Sequence, residues 1–435
     1  NVYVGSALVN MYAKCGELAK AQEVFDELPV RNVVTWSALI TGYTQHGHGE
    51  KALICFEEMK RDGIIPNVVT FLCILKACAS IRALGKGQAI HAEIVKEGLL
   101  EGNTSIGNVL VDMYAKCGEL EKSEEVFDSL PYRDVVSWNT LLTGYTHHGH
   151  CRKALHCYER MQQEGLSPDA FTYVCILGAC GSMGSRKKGE AIHAKILKEN
   201  LLAQNVLVGN ALVDMYSKCG AHRKAQEVFD ELPVRNVVTW NALITGHVQH
   251  GNAKEALYCF EHMQLEGISP NPVTFLNILK ACGSVGAVDK GQEIHHEIVR
   301  QDLLREDNSL GTALMDMYAK CGALTKAHEV FDELPTQDVV SWSVLIAGYN
   351  QHGCGEEALT CFEHMQHKGV SPNAVTFISV LQACGSVGAT NEGHKIHAKI
   401  LKDEFLKIDM LVGTALVDMY FKCGFFDRAQ EIFNK

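Results

Sequence analysis

Apolar residues along the chain recur with the spacing of amphipathic helices. Leu8, Met11, Tyr12 and Cys15 follow the i, i+3, i+4, i+7 pattern of one helical face, and five further stretches repeat this pattern up to Asn103. Glycine or proline separates consecutive stretches, at Gly16, Pro29, Gly47, Gly63, Pro66 and Gly98. Short turns between such helices predict antiparallel helix pairs. We therefore predict an all-α fold in which stacked pairs form a right-handed α-solenoid superhelix.

The whole pattern returns every 102 residues, without insertion or deletion, as the spacing of Gly5, Gly107, Gly209, Gly311 and Gly413 shows. Each block contains helix pairs of 31, 35 and 36 residues. The predicted pairs, which we call motifs, cover residues 2–32, 33–67, 68–103, 104–134, 135–169, 170–205, 206–236, 237–271, 272–307, 308–338, 339–373, 374–409 and, cut short, 410–435. Such repeats form one array whose function lies along an extended surface.

Composition narrows the classes of function. The net charge of -11 argues against a nonspecific polyanion binder, and no run of 18 apolar residues predicts a membrane helix. The 17 cysteines include no Cys-x-x-Cys pair. Cysteines recur at two positions of the repeat, in one series that begins at Cys15 and another that begins at Cys78, and each ends an apolar helical stripe. We therefore predict that these cysteines are small, buried apolar residues whose thiols are reduced. Neither a metal site nor a cofactor is predicted.

Helix pairs of 31, 35 and 36 residues in rotation, with V-T-W-S-A-L-I-T-G-Y over residues 34–43, resemble the pentatricopeptide repeat family. The rotation resembles its PLS subfamily, so the 31-, 35- and 36-residue motifs correspond to S, P and L motifs. This resemblance covers essentially the whole chain. It implies binding of single-stranded RNA at one nucleotide per motif, the base being selected by the fifth and last residues of a motif.

The repeats themselves vary at those two positions. Fifth residues of S and P motifs are small and hydrogen-bonding: Ser6, Ser37, Asn108, Asn139, Asn210, Asn241, Thr312, Ser343 and Thr414. Last residues of these motifs are an amide or a carboxylate: Asn32, Asn67, Asp134, Asp169, Asn236, Asn271, Asp338 and Asn373. L motifs instead carry an apolar fifth residue, at Leu72, Val174, Leu276 and Ile378. Asp only accepts hydrogen bonds whereas Asn also donates them, so exchanging the two alters which base edge fits.

The resemblance implies adenine for Ser with Asn, uracil for Asn with Asp, pyrimidines for Asn with Asn, and guanine for Thr with Asp. The predicted target is 5′-AAnUUnYYnGAnR-3′. It also implies that apolar second residues clamp each base: Val34, Val69, Val136, Phe171, Leu207, Val238, Val273, Val340, Val375 and Leu411. Tyr3 begins this series, whereas Ser105 and Ser309 depart from it, so the resemblance does not imply the same clamp at those S motifs.

The thirteenth residue of every S motif is a lysine: Lys14, Lys116, Lys218, Lys320 and Lys422. These lysines are candidate phosphate contacts. Equally, each lies near a helix C-terminus, where the macrodipole favours a cation. Both interpretations remain open at this level.

Histidines suggest a zinc deaminase half-motif at His91-Ala92-Glu93, but no Pro-Cys-x-x-Cys follows it. We predict that His91 packs between helices and that the series beginning at His46 caps helix ends. No catalytic constellation is present, so we expect a binding protein and not an enzyme. The resemblance implies that this chain is the recognition part of a mitochondrial or chloroplast factor for RNA processing or C-to-U editing. It also implies that other editing or processing factors are partners. A deaminase domain is absent from this sequence.

A tetratricopeptide-type scaffold that binds peptides or proteins is the main alternative. Trp36, Leu39, Tyr43, Ala52 and Phe56 fit its periodic pattern. The rotation of three motif lengths does not belong to that family, however, and a peptide groove gives no reason for a variable Ser/Asn/Thr series paired with Asn or Asp. Because Lys435 lies within a motif, we interpret the chain as part of a longer protein.

Overall fold

The computed structural model describes residues 2–305, 308–402 and 409–434. These residues form 27 helices and no strand, which confirms the all-α prediction. They belong to two compact units, Asn1–Ala221 and His222–Lys435. The predicted boundaries at residues 307 and 435 lie outside the described residues.

Helices of the first unit alternate between the first and second members of a motif. They are α1 Val2–Lys14, α2 Leu18–Asp26, α3 Val33–Gln45, α4 Gly49–Arg61, α5 Val68–Ser80, α6 Leu84–Lys96, α7 Thr104–Lys116, α8 Leu120–Ser129, α9 Val135–His147, α10 Cys151–Gln163, α11 Ala170–Ser182, α12 Arg186–Lys198, α13 Leu201–Gln204 and α14 Val206–Lys218. The four-residue α13 has no counterpart in the predicted pattern, because a single short turn has no apolar period to detect.

The second unit continues the same alternation. Its helices are α15 His222–Glu231, α16 Val237–Gln249, α17 Ala253–Leu265, α18 Pro272–Val285, α19 Val288–Arg300, α20 Asn308–Lys320, α21 Leu324–Glu333, α22 Val339–Gln351, α23 Gly355–His367, α24 Ala374–Val387, α25 Thr390–Lys402, α26 Met410–Lys422 and α27 Phe426–Phe433. No helix among the described residues is long and apolar enough to cross a membrane.

Within each unit, the first helix of a motif packs on its own second helix and on the first helix of the next motif, as α3 does with α4 and α5. The P motifs bury their tryptophans against a phenylalanine of the preceding S motif. Ring centroids are 4.5 Å apart for Phe25 and Trp36 and 4.6 Å apart for Phe127 and Trp138, in edge-to-face geometry. Such aromatic pairs contribute about 0.5–1.5 kcal/mol beyond the burial of their area.

L and S motifs are joined by a different contact. Gly87 of α6 faces Met113 of α7 so closely that a Cβ atom at Gly87 would lie 2.5 Å from the methionine Sδ. One turn further along α6, His91 Nδ1 lies 2.9 Å from the Tyr114 hydroxyl. The prediction that His91 is a packed histidine is therefore confirmed.

The cysteine prediction was correct for one series and wrong for the other. Cys78, Cys180, Cys282 and Cys384 are fully buried in first helices of L motifs. The series beginning at Cys15 directly follows the first helices of S motifs, and its members are exposed or half-buried. They follow the last helical turn and are only partly covered by the preceding L motif, as where the Cys219 thiol lies 3.9 Å from the Cys180 main-chain oxygen. All 17 cysteines are free thiols.

Candidate nucleic-acid interface

The last residue of a motif is the N-cap of the helix that follows. Asn67 Oδ1 accepts hydrogen bonds from the amide and the hydroxyl of Thr70, each at 2.9 Å. The side chain makes an equivalent cap at every S and P motif with a described successor: Asn32, Asp134, Asp169, Asn236, Asn271, Asp338 and Asn373. Each cap stabilises the chain by about 1 kcal/mol. Capping engages one side-chain oxygen of the last residue. The other terminal atom of that side chain is Nδ2 in Asn and Oδ2 in Asp, so it differs between motifs.

In P motifs the fifth and last residues are in direct contact, although 30 positions separate them. Asn139 Nδ2 donates to both carboxylate oxygens of Asp169, at 3.1 Å each. Asn139 Oδ1 accepts from the Thr172 hydroxyl at 2.6 Å. Asn241 and Asn271 repeat this arrangement, with the amide of Asn241 3.0 Å from Asn271 Oδ1.

Serine at the fifth position makes a looser contact. The Ser37 hydroxyl lies 2.8 Å from the Thr70 hydroxyl and 3.5 Å from Asn67 Oδ1. Ser343 lies at 3.5 Å from Asn373 Oδ1. In these motifs the side-chain nitrogen Nδ2 of the last residue has no hydrogen bond to another described residue, so it remains available as a donor.

The aspartates are acceptors at neutral pH. Burial by itself would raise the pKa of the Asp169 carboxyl, but hydrogen bonds from Thr172 and Asn139 outweigh burial and lower the pKa below its usual value. The pKa of Asp134 is lowered in the same way, by Ser137 and Asn108. Both side chains are therefore ionised and present only acceptors.

The S motifs are less uniform. Asn108 is close enough to Asp134 to help lower the pKa of its carboxyl, but the side-chain oxygen of Asn108 has no hydrogen-bond partner among the described residues, unlike that of Asn139 in the P motif. Thr312 instead donates to the main-chain oxygen of Asn308 at 3.0 Å, while Asn308 Nδ2 donates to Asp338 at 3.2 Å. The predicted Thr312–Asp338 pair is thus bridged through a third residue. Among the other fifth residues, Asn210 is buried, Ser6 is half-buried and Thr414 is exposed.

The predicted clamp residues share one unusual property: all ten are apolar and at least half exposed, from 50% at Val273 to 65% at Leu207. Tyr3, which begins the series, and the departing residues Ser105 and Ser309 are also exposed. Val340 and Val375 line one cavity of about 260 Å³ together with Ser343 and Asn373. Two predicted clamp residues and both members of a predicted base-selecting pair therefore meet around one space.

Within the first unit, thirteenth residues of successive motifs share a groove. His147, Ser182 and Lys218, from three successive motifs, line a groove of about 330 Å³. Most S-motif lysines there are already ion-paired with the aspartate four residues earlier, as Lys116 is with Asp112 at 2.8 Å. The same pairs form at Lys218, Lys320 and Lys422.

Lys14 is the exception among these lysines. Its neighbour at position 10 is Asn, and no ion pair joins Lys14 to another described residue. Neither the phosphate interpretation nor the macrodipole interpretation of the lysines included these aspartates.

One further position of the site was not identified from the sequence. It is the third residue of the helix that follows each P motif. Thr70, Thr172, Thr274 and Thr376 each close the cap and also contact the fifth residue of the preceding P motif. The sequence did contain a signal for this position: the threonine recurs every 102 residues, while the fifth and last residues that it contacts vary.

The histidines at helix ends are C-caps as predicted, at His46, His148, His250 and His352. Across the described residues, no cluster of three or more His, Cys, Asp or Glu side chains is arranged to hold a metal ion.

Comparison with known proteins places these features in a family. A model described as PPR repeat family matches residues 31–80, 133–182, 235–284 and 337–386, and a PPR repeat model matches residues 6–33, 108–135, 210–237, 312–339 and 414–435. The chain is 35% identical over 431 residues to a mitochondrial pentatricopeptide repeat-containing protein of Arabidopsis thaliana, covering 99% of this chain and 62% of that protein. A chloroplastic one is 35% identical over 434 residues, covering 100% and 70%.

A third relative, also mitochondrial and from Arabidopsis thaliana, is 36% identical over 436 residues; the chain spans only 42% of its length. Among solved structures, the pentatricopeptide repeat protein PPR10 in complex with an 18-nt psaJ RNA element is similar with a TM-score of 0.53 at 18% identity. That match covers 100% of this chain and 73% of PPR10. At this identity the likeness concerns the fold alone.

Proposed function

The chain belongs to the pentatricopeptide repeat family, and we propose that it binds single-stranded RNA with sequence specificity, one nucleotide per motif. The observation that carries the proposal is the cavity lined by Val340, Val375, Ser343 and Asn373. Two exposed apolar side chains are suited to the faces of a base, and a hydroxyl and an amide between them are suited to its edge. The RNA in the PPR10 complex supports the choice of ligand.

Capping supplies a physical basis for reading a base. Since the cap holds one oxygen of the last residue, the second terminal atom is presented in a fixed place in every motif. That atom is a donor in Asn67 and an acceptor in Asp169, so two motifs with the same backbone offer opposite hydrogen-bonding groups to the base. By family resemblance, this exchange corresponds to adenine and uracil at the second and fifth nucleotides.

The same resemblance extends to subfamily, target and setting. We propose a PLS-type array that recognises 5′-AAnUUnYYnGAnR-3′, in which L motifs are silent because Leu72, Val174, Leu276 and Ile378 offer no hydrogen bond. The mitochondrial and chloroplastic names of the relatives support an organellar location. Within the organelle, a role in RNA processing or in specifying sites of C-to-U editing follows as the proposal for the whole protein.

A binding measurement tests this proposal. The RNA AAAUUACCAGAAG carries one nucleotide per motif and should bind in preference to a scrambled RNA of equal composition, at roughly physiological salt. Each mismatch should weaken binding by about 1–3 kcal/mol, if the discrimination per base resembles that of protein–DNA readout. Equal and salt-sensitive binding of both RNAs would discard the assigned bases while keeping RNA as the ligand. Binding of neither RNA would favour a peptide scaffold.

A further inference from the structure

The second block departs from the other three in charge at the starts of two second helices. In α10 the first turn contains Arg152 and Lys153, and α12 opens with Arg186, Lys187 and Lys188. The equivalent positions elsewhere are neutral, acidic or mixed: Glu50, Lys51, Leu84, Gly85 and Lys86 in the first block, Lys254, Glu255, Val288, Asp289 and Lys290 in the third, and Glu356, Glu357, Thr390, Asn391 and Glu392 in the fourth. We call the five cations of the second block the basic rim.

Helix stability does not explain the basic rim. The helix macrodipole places partial positive charge at an N-terminus, so cations there are unfavourable and acidic residues favourable. The fourth block follows that preference with Glu356 and Glu357 in the first turn of α23. Only the second block collects cations at two neighbouring helix starts, in a chain whose net charge is -11. An external anion is the natural partner of such an arrangement.

Part of the rim has no internal counter-charge. Arg152 and Lys187 are exposed, and neither has an ion pair with another described residue. Lys153 reaches Glu124 only at 3.9 Å. Arg186 pairs with Glu190 at 2.9 Å and Lys188 with Glu159 at 3.1 Å, both on the surface. Exposed pairs of this kind are weak and exchange readily with a stronger anion.

The rim is continuous with the groove formed by the thirteenth residues. Arg152 and Lys153 line a groove of about 520 Å³ that also includes Thr146 and Ser182. Thr146 and Ser182 line the adjacent groove as well, the one that contains Lys218. Arg152 and Lys153 thus extend the side of the interface where the lysines lie, at the opposite end of the first helices from the base-selecting pairs.

We propose that the basic rim binds the phosphodiester backbone of the RNA beside the second block, between its fifth and seventh nucleotides. The inference rests on the proposed function and adds to it a sequence-independent anchor at one place in the array. The L motif of this block, whose fifth residue Val174 cannot read a base, would then contribute affinity by binding phosphates. Continuity with the Lys218 groove favours RNA over an acidic peptide as the anion.

The other blocks supply substitutions that the fold already accommodates. A variant carrying Arg152→Glu, Lys153→Glu, Arg186→Thr and Lys187→Asn copies the fourth block into the second. For each RNA phosphate that this variant no longer neutralises, the slope of log affinity against log salt should decrease by about 0.7. If two phosphates are affected, the salt sensitivity between about 50 and 200 mM should therefore fall by about seven-fold. The ratio of affinities for AAAUUACCAGAAG and its scrambled counterpart should stay the same.

The reverse transplant is the matched control, and it keeps the test decisive if the first variant folds poorly. Glu356→Arg with Glu357→Lys should increase both affinity and salt slope. In the wild-type protein, uncharged methylphosphonate linkages around the sixth nucleotide should weaken binding more than the same linkages around the twelfth. The difference should disappear in the four-substitution variant.

The outcomes separate this inference from the proposed function. If the wild-type chain prefers the target RNA but the salt slope is the same in both variants, the basic rim does not bind phosphate and the inference is wrong. Equal effects of methylphosphonates at the sixth and twelfth nucleotides would overturn it too. If the wild-type chain binds neither RNA, the proposed function fails and the inference fails with it.

Discussion

The Asn139–Asp169 pair offers the most direct test of base reading. Asn139 is buried, donates to both oxygens of Asp169 and accepts from Thr172. Replacing Asn139 by Thr creates the Thr–Asp combination that the chain itself carries at Thr312 and Asp338. We expect the preference at the fifth nucleotide to change from uracil to guanine.

The structure sets the size of the accompanying effects. Asn139→Thr removes the amide that bonds to Asp169 and the oxygen that accepts from Thr172, so the free energy of unfolding should fall by about 1–2 kcal/mol. Thr172 keeps its hydrogen bond to Asp169 Oδ1 at 2.8 Å, so its hydroxyl is not left buried without a partner. The exchange of base preference should amount to about 1–3 kcal/mol, or roughly 5- to 150-fold in relative affinity.

The assay compares four RNAs that differ only at the fifth nucleotide, with Asn139→Ala as the control. The alanine variant loses the same amide but gains no hydroxyl, so it should lose the preference for uracil without acquiring one for guanine. Thermal unfolding of both variants separates a folding defect from a change in recognition. If Asn139→Thr still prefers uracil, the register of motifs on RNA is wrong, and if it behaves like alanine, the fifth residue does not select guanine.

Three further predictions concern single features of the array. Val340→Ala should weaken RNA binding by about 1 kcal/mol or less, which is below the range for aromatic stacking. It should leave the free energy of unfolding unchanged, because this side chain is half exposed. An unchanged affinity for RNA would argue against the clamp. Asp112→Asn, which copies residue 10 of the first block, should free Lys116 from its ion pair and steepen the salt dependence of RNA binding. An unchanged salt dependence would favour the macrodipole interpretation of the lysine. Burial lowers the pKa of His91 and His295. Below a pH of about 6.5 the unfolded chain therefore binds more protons than the folded one, and the free energy of unfolding should decrease as the pH falls further. Urea unfolding at several pH values would refute this if the free energy of unfolding stayed constant from pH 7 to 5.

Much of the fold follows from the sequence because its determinants are local. Apolar spacing and the intervening glycines and prolines indicate where helices lie, and the structure has helices there, such as α3 from Val33 and α9 from Val135. The same regularity isolates the fifth and last residues, since they vary while their neighbours hardly change. Periodicity is a property of the chain alone, so it can be read without a structure.

Contacts between distant residues required the tertiary structure. The bonds between Asn139, Asp169 and Thr172 depend on how two first helices pack, and no local pattern states which atoms meet. Packing also decided the exposure of the Cys15 series, which hydrophobic spacing alone assigned to the core.

The sequence by itself determined the period, the helices and the two varying positions, because each repeats within one helix or one turn. Only the tertiary structure showed what surrounds those positions: the last residue caps the next helix through one oxygen, and in P motifs it also contacts the fifth residue. It likewise brought Val340 and Val375 to the sides of one cavity, and Arg152 and Lys153 to a groove that adjoins the Lys218 groove. Side chains some thirty residues apart meet only when helices stack, and stacking is a property of the folded chain.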